Sequence, residues 1–190
     1  MNTTDGTKAM WYALRVGPQR EKSVLASLVG KGYEVFLPMY RVLRVSSRHT
    51  KEVKVPLFPG YLFCRFDAHK RLSIVTTPGL LFIAGAGKVP LPVDQNEINA
   101  IQRIVSSSLH YEPCEYLREG TEIEMIAGPL TGVRGIIVSR KNSHRLLASI
   151  SLLQRSVAVE IDQEWAACGS VRETIPAPGD FTSQRNHFSV

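Results

Sequence analysis

The run Leu57-Phe58-Pro59-Gly60-Tyr61-Leu62-Phe63 places three aromatic rings around a Pro-Gly step. Pro removes a backbone donor and Gly weakens a ladder, so a strand interrupted in this way bends and re-aims its rings. Such rings serve either as core or as the centre of a protein contact, where Tyr combines a rigid apolar face with a hydroxyl. Trp11 and Phe36 fall under the same two readings. A second group is cationic: Arg41, Arg44, Arg48, His49, Lys51 and Lys54 share their stretch with a single acid, Glu52. That run suits phosphate or an acidic protein surface, or it guards an edge strand. Arg20 and Lys22 form a smaller group at a predicted helix start, where the helix dipole also favours an anion. Their alternative is a solvated helix face.

Nucleophilic and metal chemistry are not indicated. Cys64, Cys114 and Cys168 lie far apart without paired ligand spacing, and His49, His69, His110, His144 and His187 are scattered. No phosphate loop or nucleophile motif occurs, so neither an enzyme nor a cofactor is predicted. Dispersed, odd-numbered cysteines suit a reducing compartment. Lys and Arg total 23 against 17 acids, a net charge of +6 that favours acidic partners such as nucleic acid. Residues 1–6 have neither a basic nor an apolar signal region, and no later run approaches a membrane span, so a cytoplasmic protein without a membrane partner is expected.

The elements that must position these groups follow from periodicity. Trp11 to Val16 reads as a first strand. Gly17-Pro18 stops it, and a helix is predicted from Gln19 to Val29, with Val24, Leu25, Leu28 and Val29 at helical spacing and Arg20, Glu21 and Lys22 outward. Tyr33–Val45 and Glu52–Phe66 read as two long partner strands joined by a polar tip at Ser46–Lys51. A helical turn at Arg71–Val75, a strand at Leu80–Ala84 and a helix capped by Asp94, with Ile98, Ile101, Ile104 and Val105 as its stripe, complete an α+β domain. Residues 109–117 contain Pro113 and no periodicity, and read as a linker. Beyond it Ile123, Met125 and Ala127 alternate with acids, Gly128-Pro129 turns the chain, and Val133–Val138, Leu146–Ile150 and Val157–Ile161 supply short strands of a small barrel. The expected division is a leader at 1–9, a first domain at 10–108, a linker at 109–117, a barrel at 118–171 and a disordered tail at 172–190.

This order resembles the NusG family of transcription elongation factors, in which an N-terminal domain is joined to a KOW domain. Three segments carry the resemblance: Trp11-Tyr12, Phe58-Pro59-Gly60-Tyr61, and Gly128-Pro129-Leu130-Thr131-Gly132-Val133-Arg134-Gly135-Ile136-Ile137-Val138. The wording Val55–Phe63 and Gly32–Pro38 looks closer to RfaH-like antitermination paralogues. A hydroxyl-rich patch of those paralogues has no match at His69-Lys70-Arg71-Leu72. The resemblance implies a factor that binds the clamp helices of RNA polymerase through Phe58, Pro59 and Tyr61, with Trp11 and Phe36 beside them. It also implies contact of Arg20 and Lys22 with non-template DNA, which we extend to Arg44, Arg48 and Lys51. The KOW domain would recruit Rho or a small-subunit ribosomal protein, and the factor would act as a monomer. A ribosome-associated KOW protein that binds RNA is the alternative, separated by co-purification with ribosomal subunits.

One ambiguity belongs to the second half. Between Ile136 and Cys168 there is no Gly or Pro, and Leu146, Leu147, Ile150 and Leu153 fit helical spacing as well as short strands. RfaH-like relatives fold this domain as a helical hairpin before release. The alternating, β-branched Val157-Ala158-Val159-Glu160-Ile161 predicts the barrel as ground state.

Overall fold

β1 (Met10–Val16) sets the N-terminal architecture because it is buried on both faces. Trp11 and Ala13 alternate with Tyr12, Leu14 and Val16, so pleating sends the two sets to opposite sides. The computed structural model describes residues 9–45, 50–117, 121–140, 143–162 and 165. After β1 come α1 (Glu21–Gly30), β2 (Glu34–Phe36), β3 (Met39–Val45), β4 (Thr50–Pro56), β5 (Tyr61–Phe66), α2 (Leu72–Val75) and β6 (Leu80–Ile83). Then follow β7 (Gly85–Ala86), β8 (Val89–Pro90), β9 (Pro92–Val93) and α3 (Gln95–Ser106). β2, β5, β1 and β6 pair in that order, and β9 adds to β1, all antiparallel. On one face α1 packs Val24 and Leu28 against Tyr12, Leu14, Val16 and Leu62. On the other, Ile98, Ile101 and Ile104 of α3 cluster with Trp11, Ala13 and Phe63. Asp94 caps α3, its carboxylate accepting from the Asn96 N–H at 2.6 Å.

The two long strands expected from the sequence are each broken. The first divides at Leu37-Pro38 and the second at Leu57–Gly60, so β2 and β5 join the main sheet while β3 and β4 form a separate two-stranded ribbon. Pro38, Pro56 and Pro59 lack the donors that a continuous ladder needs. The Leu57 N–H donates to the Pro38 carbonyl at 2.9 Å and ties the base of the ribbon. Its tip, residues 46–49 with Arg48 and His49, lies outside the described residues. α1 begins two residues later than predicted, because Gln19 adopts φ 59 and the Arg20 N–H bonds back to the Gly17 carbonyl at 3.1 Å.

The second half contains β10 (Tyr111–Cys114), β11 (Thr121–Glu124), β12 (Arg134–Arg140), β13 (Ser143–Ile150) and β14 (Arg155–Ile161). They form one antiparallel sheet in the order β10-β14-β13-β12-β11. The expected linker is thus corrected in part: Tyr111–Cys114 is a strand paired with Val159–Ser156. Pro113 is tolerated there because β10 is an edge strand, where one side of the backbone needs no partner. Residues 143–150 and 155–161 are both strands, so the helical alternative is not adopted. Residues 1–8 of the expected leader and all of the expected tail at 172–190 lie outside the described residues, and so does Cys168.

The two sheets share a continuous core across α3, running from Trp11, Phe58 and Phe63 through Ile101 and Ile104 to Leu146, Ile150 and Val157. Polar contacts register it. The Arg103 guanidinium donates to the Thr131 carbonyl, the Glu97 carboxylate accepts from the Ser151 N–H at 3.1 Å, and the Tyr111 hydroxyl donates to the Met39 carbonyl at 2.9 Å. Among the described residues no helix is long and apolar enough to cross a membrane.

Candidate partner-binding surface

Residues 58–61 form a type II turn. The Phe58 carbonyl accepts from the Tyr61 N–H at 3.0 Å, Pro59 takes the second position, and Gly60 has φ +79, a conformation open chiefly to glycine. The turn is held from two sides. Glu21, in the first turn of α1 and only 8% exposed, accepts from the Gly60 N–H at 2.9 Å. The Val16 N–H in turn donates to the Gly60 carbonyl at 3.0 Å. From the outside Arg15 lies across the turn, with Nη1 donating to the Pro59 carbonyl at 3.3 Å and Cζ 4.8 Å from the Tyr61 ring centroid. A Cβ on Gly60 would stand 2.9 Å from Arg15 Cζ, so the guanidinium occupies the space that only glycine leaves.

This geometry sorts the predicted contact residues. Pro59 is exposed, while Tyr61 and Phe36 are half-buried. Trp11 and Phe58 are 2% and 1% exposed, so they support the surface from within and do not line it. Phe58 meets Phe63 edge-on at 5.7 Å, and Phe36 stacks on Phe63 at 6.2 Å. The aromatic run is therefore both core and surface, with the turn as the dividing line.

Strand register adds residues that sequence reasoning missed. Arg15 pairs with Tyr61 on one side and with Phe82 of β6 on the other, so the three form a row across β5, β1 and β6 on one face. Phe82 is 54% exposed. A single arginine inside an otherwise aromatic and apolar strand was the available signal for Arg15. Glu21, predicted to face solvent, is instead turned inward, and nothing in its local spacing distinguishes it from Lys22.

The cationic residues occupy two places. Arg20 and Lys22 are exposed at the start of α1. Arg20 packs over the turn at Gly79 that leads into β6, where the Gly17 N–H donates to the Gly79 carbonyl at 2.9 Å. On the ribbon Arg44 pairs directly with Lys51, and Arg41 with Lys54. Alternation puts the first pair on one face and the second on the other, so the ribbon is basic on both. Like charges directly opposed cost stability, and among the described residues of the ribbon only Arg41 finds an acid, Glu52 at 3.0 Å. Leu43 and Val45 are also 71% and 79% exposed there.

Neither described thiol is poised for chemistry. Burial pushes the Cys64 thiol up to about 12, and burial together with Glu112 pushes Cys114 up to about 11. Among the described residues no group of three His, Cys, Asp or Glu side chains is placed to hold a metal. On the second sheet Arg145 bridges Glu112 at 2.7 Å and Glu160 at 3.0 Å, and these two hydrogen bonds raise its pKa.

Residues 9–102 match the family described as "Transcription termination factor nusG". The transcription termination/antitermination protein NusG of Thermus thermophilus is 27% identical over 173 residues, covering 80% of this chain and 94% of that one. Its counterpart in Escherichia coli K12 is 25% identical over 174 residues, covering 84% and 96%. A solved structure of Thermotoga maritima NusG aligns with TM-score 0.46 and 18% identity over 80% of this chain and 93% of that one.

Proposed function

We propose that the chain is a NusG-type transcription termination/antitermination factor without enzymatic activity, a reading supported by its matches to that family, and that it binds elongating RNA polymerase at the clamp helices through Pro59, Tyr61 and Phe36. Phe58 and Trp11 hold those residues from behind. The observation that carries this reading is the turn at 58–61, fixed by Glu21 and Arg15 so that Tyr61 and Pro59 reach the surface in one geometry. Preorganised aromatic anchors lose little conformational entropy on binding. Arg20 and Lys22, with Arg44 and Lys51 on the ribbon and Arg48 in the sequence between its strands, then meet displaced non-template DNA. The second sheet presents itself to a further partner, Rho or a small-subunit ribosomal protein. The factor works as a monomer in the cytoplasm and suppresses pausing or termination by bridging, in the manner of RfaH-like paralogues.

The test is the affinity of full-length protein for core RNA polymerase. Tyr61→Ala weakens it by roughly 2 kcal/mol, about thirtyfold, while the melting temperature stays close to wild type. Wild-type affinity in a folded Tyr61→Ala variant, or co-purification with ribosomal subunits in place of polymerase, overturns the reading.

A further inference from the structure

Arg15 is the one charged residue in the row Tyr61–Arg15–Phe82, and its environment is unusual for a surface arginine. Its guanidinium is laid on Gly60, bonded to the Pro59 carbonyl and stacked on Tyr61. It takes part in no ion pair among the described residues. The acid nearest to the turn, Glu21, is buried and already bonded to the Gly60 N–H. One Nη1 hydrogen bond leaves most of the five guanidinium donors unused, in an orientation set by the stack.

We propose that Arg15 is the specificity-determining residue of the surface, receiving a carboxylate from an apolar segment of the partner protein that lies between Tyr61 and Phe82. This rests on the polymerase reading above and names the chemistry its contact requires. Charge complementarity fixes the sign of the partner group, since Arg15 is uncompensated and Arg20 stands at the same end of the sheet, over Gly79. The flanks fix its class. Phe82 at 54% and Leu81 at 60% exposure, with Pro59, offer apolar area on the β6 and turn sides, and Tyr, Arg and apolar neighbours are the composition of interface centres. A nucleobase would need the Tyr61 ring face that Arg15 already covers. A carboxylate needs only the free edge of the guanidinium, where two parallel N–H donors fit its two oxygens.

The experiment measures binding of full-length protein to core RNA polymerase at low and high salt, and to a single-stranded DNA oligonucleotide, for wild type, Arg15→Met, Arg15→Lys and Tyr61→Ala. Arg15→Met is expected to lose about tenfold in polymerase affinity at low salt and to flatten its salt dependence. Arg15→Lys keeps the charge but not the fork, and is expected to recover only part of that loss. DNA affinity is expected to change little. Wild-type polymerase affinity in Arg15→Met, or full recovery in Arg15→Lys, overturns the proposal. A parallel loss of DNA affinity overturns it in favour of a phosphate ligand. If Arg15→Met does not fold, the shortfall of Arg15→Lys decides alone. Loss in Tyr61→Ala with none in the Arg15 variants sinks this inference and leaves the polymerase reading standing, whereas no polymerase binding by wild type sinks both.

Discussion

The carboxylate of Glu21 accepts a hydrogen bond from the Gly60 N–H at 2.9 Å, joining the first turn of α1 to the aromatic turn across 39 positions of sequence. Both partners gain from the geometry. The helix N-terminus favours a negative charge, and a buried N–H at a φ +79 turn has no ladder to enter. A residue of the cationic helix start therefore holds the aromatic surface in place.

Removing that carboxylate leaves the Gly60 donor buried and unpaired. Glu21→Ala is expected to destabilise the protein by about 1–3 kcal/mol, read as a lower midpoint in urea unfolding. Glu21→Gln, which keeps an acceptor oxygen, should retain most of the stability. Equal losses in both variants would show that charge rather than the hydrogen bond is what matters.

Gly60→Ala meets two penalties at once, the positive φ and the collision with Arg15. The left-handed conformation alone costs about 1–2 kcal/mol for an L side chain. Because the added methyl also pushes the guanidinium off Tyr61, polymerase affinity should fall further than in a variant of equal stability elsewhere. Calorimetry of unfolding, paired with the binding assay, separates the two effects.

On the ribbon, Arg44→Ala with Lys51→Ala removes a directly opposed like-charge pair. Stability should hold or rise slightly, since that repulsion disappears. Binding to single-stranded DNA should weaken, with the salt slope reduced by about 0.7 for each phosphate that is no longer neutralised. An unchanged slope would assign these cations to edge protection.

Cys64 supplies a pH dependence with a definite sign. Burial raises its folded pKa to about 12, so above the ordinary thiol pKa the unfolded chain has lost a proton that the folded chain keeps. The stabilisation is complete below the unfolded value and is lost as pH rises toward 12, at up to about 1.4 kcal/mol per pH unit for the single group. Cys64→Ala should flatten the alkaline limb of the stability profile, although it lowers stability overall through the cavity it leaves. A thiol-specific reagent should label Cys64 only after unfolding, a point checked in a Cys114→Ser, Cys168→Ser background.

Local periodicity was enough to read the helix stripe Ile98-Ile101-Ile104, the alternation of β14 and the bend at Pro59-Gly60, because each depends on residues at most four apart in the chain. It failed where the deciding partner is distant. β10 is four residues long and contains Pro113, and only its pairing with β14 makes it a strand. The ribbon separated from the main sheet because three prolines interrupted two ladders, and the register of that ribbon then distributed its cations over both faces.

Residue types and their spacing establish the kind of surface this chain carries: an aromatic turn, a cationic hairpin, a second β-rich half and no catalytic constellation. Packing selects which of those rings reach solvent. It buries Trp11 and Phe58, turns Glu21 inward to Gly60, lays Arg15 across the turn and brings Phe82 beside it. The hydrogen bond from Arg15 to Pro59 spans 44 positions, and strand register alone makes it. Pleating and pairing place side chains from remote segments on one face, and no spacing within any single segment encodes that meeting.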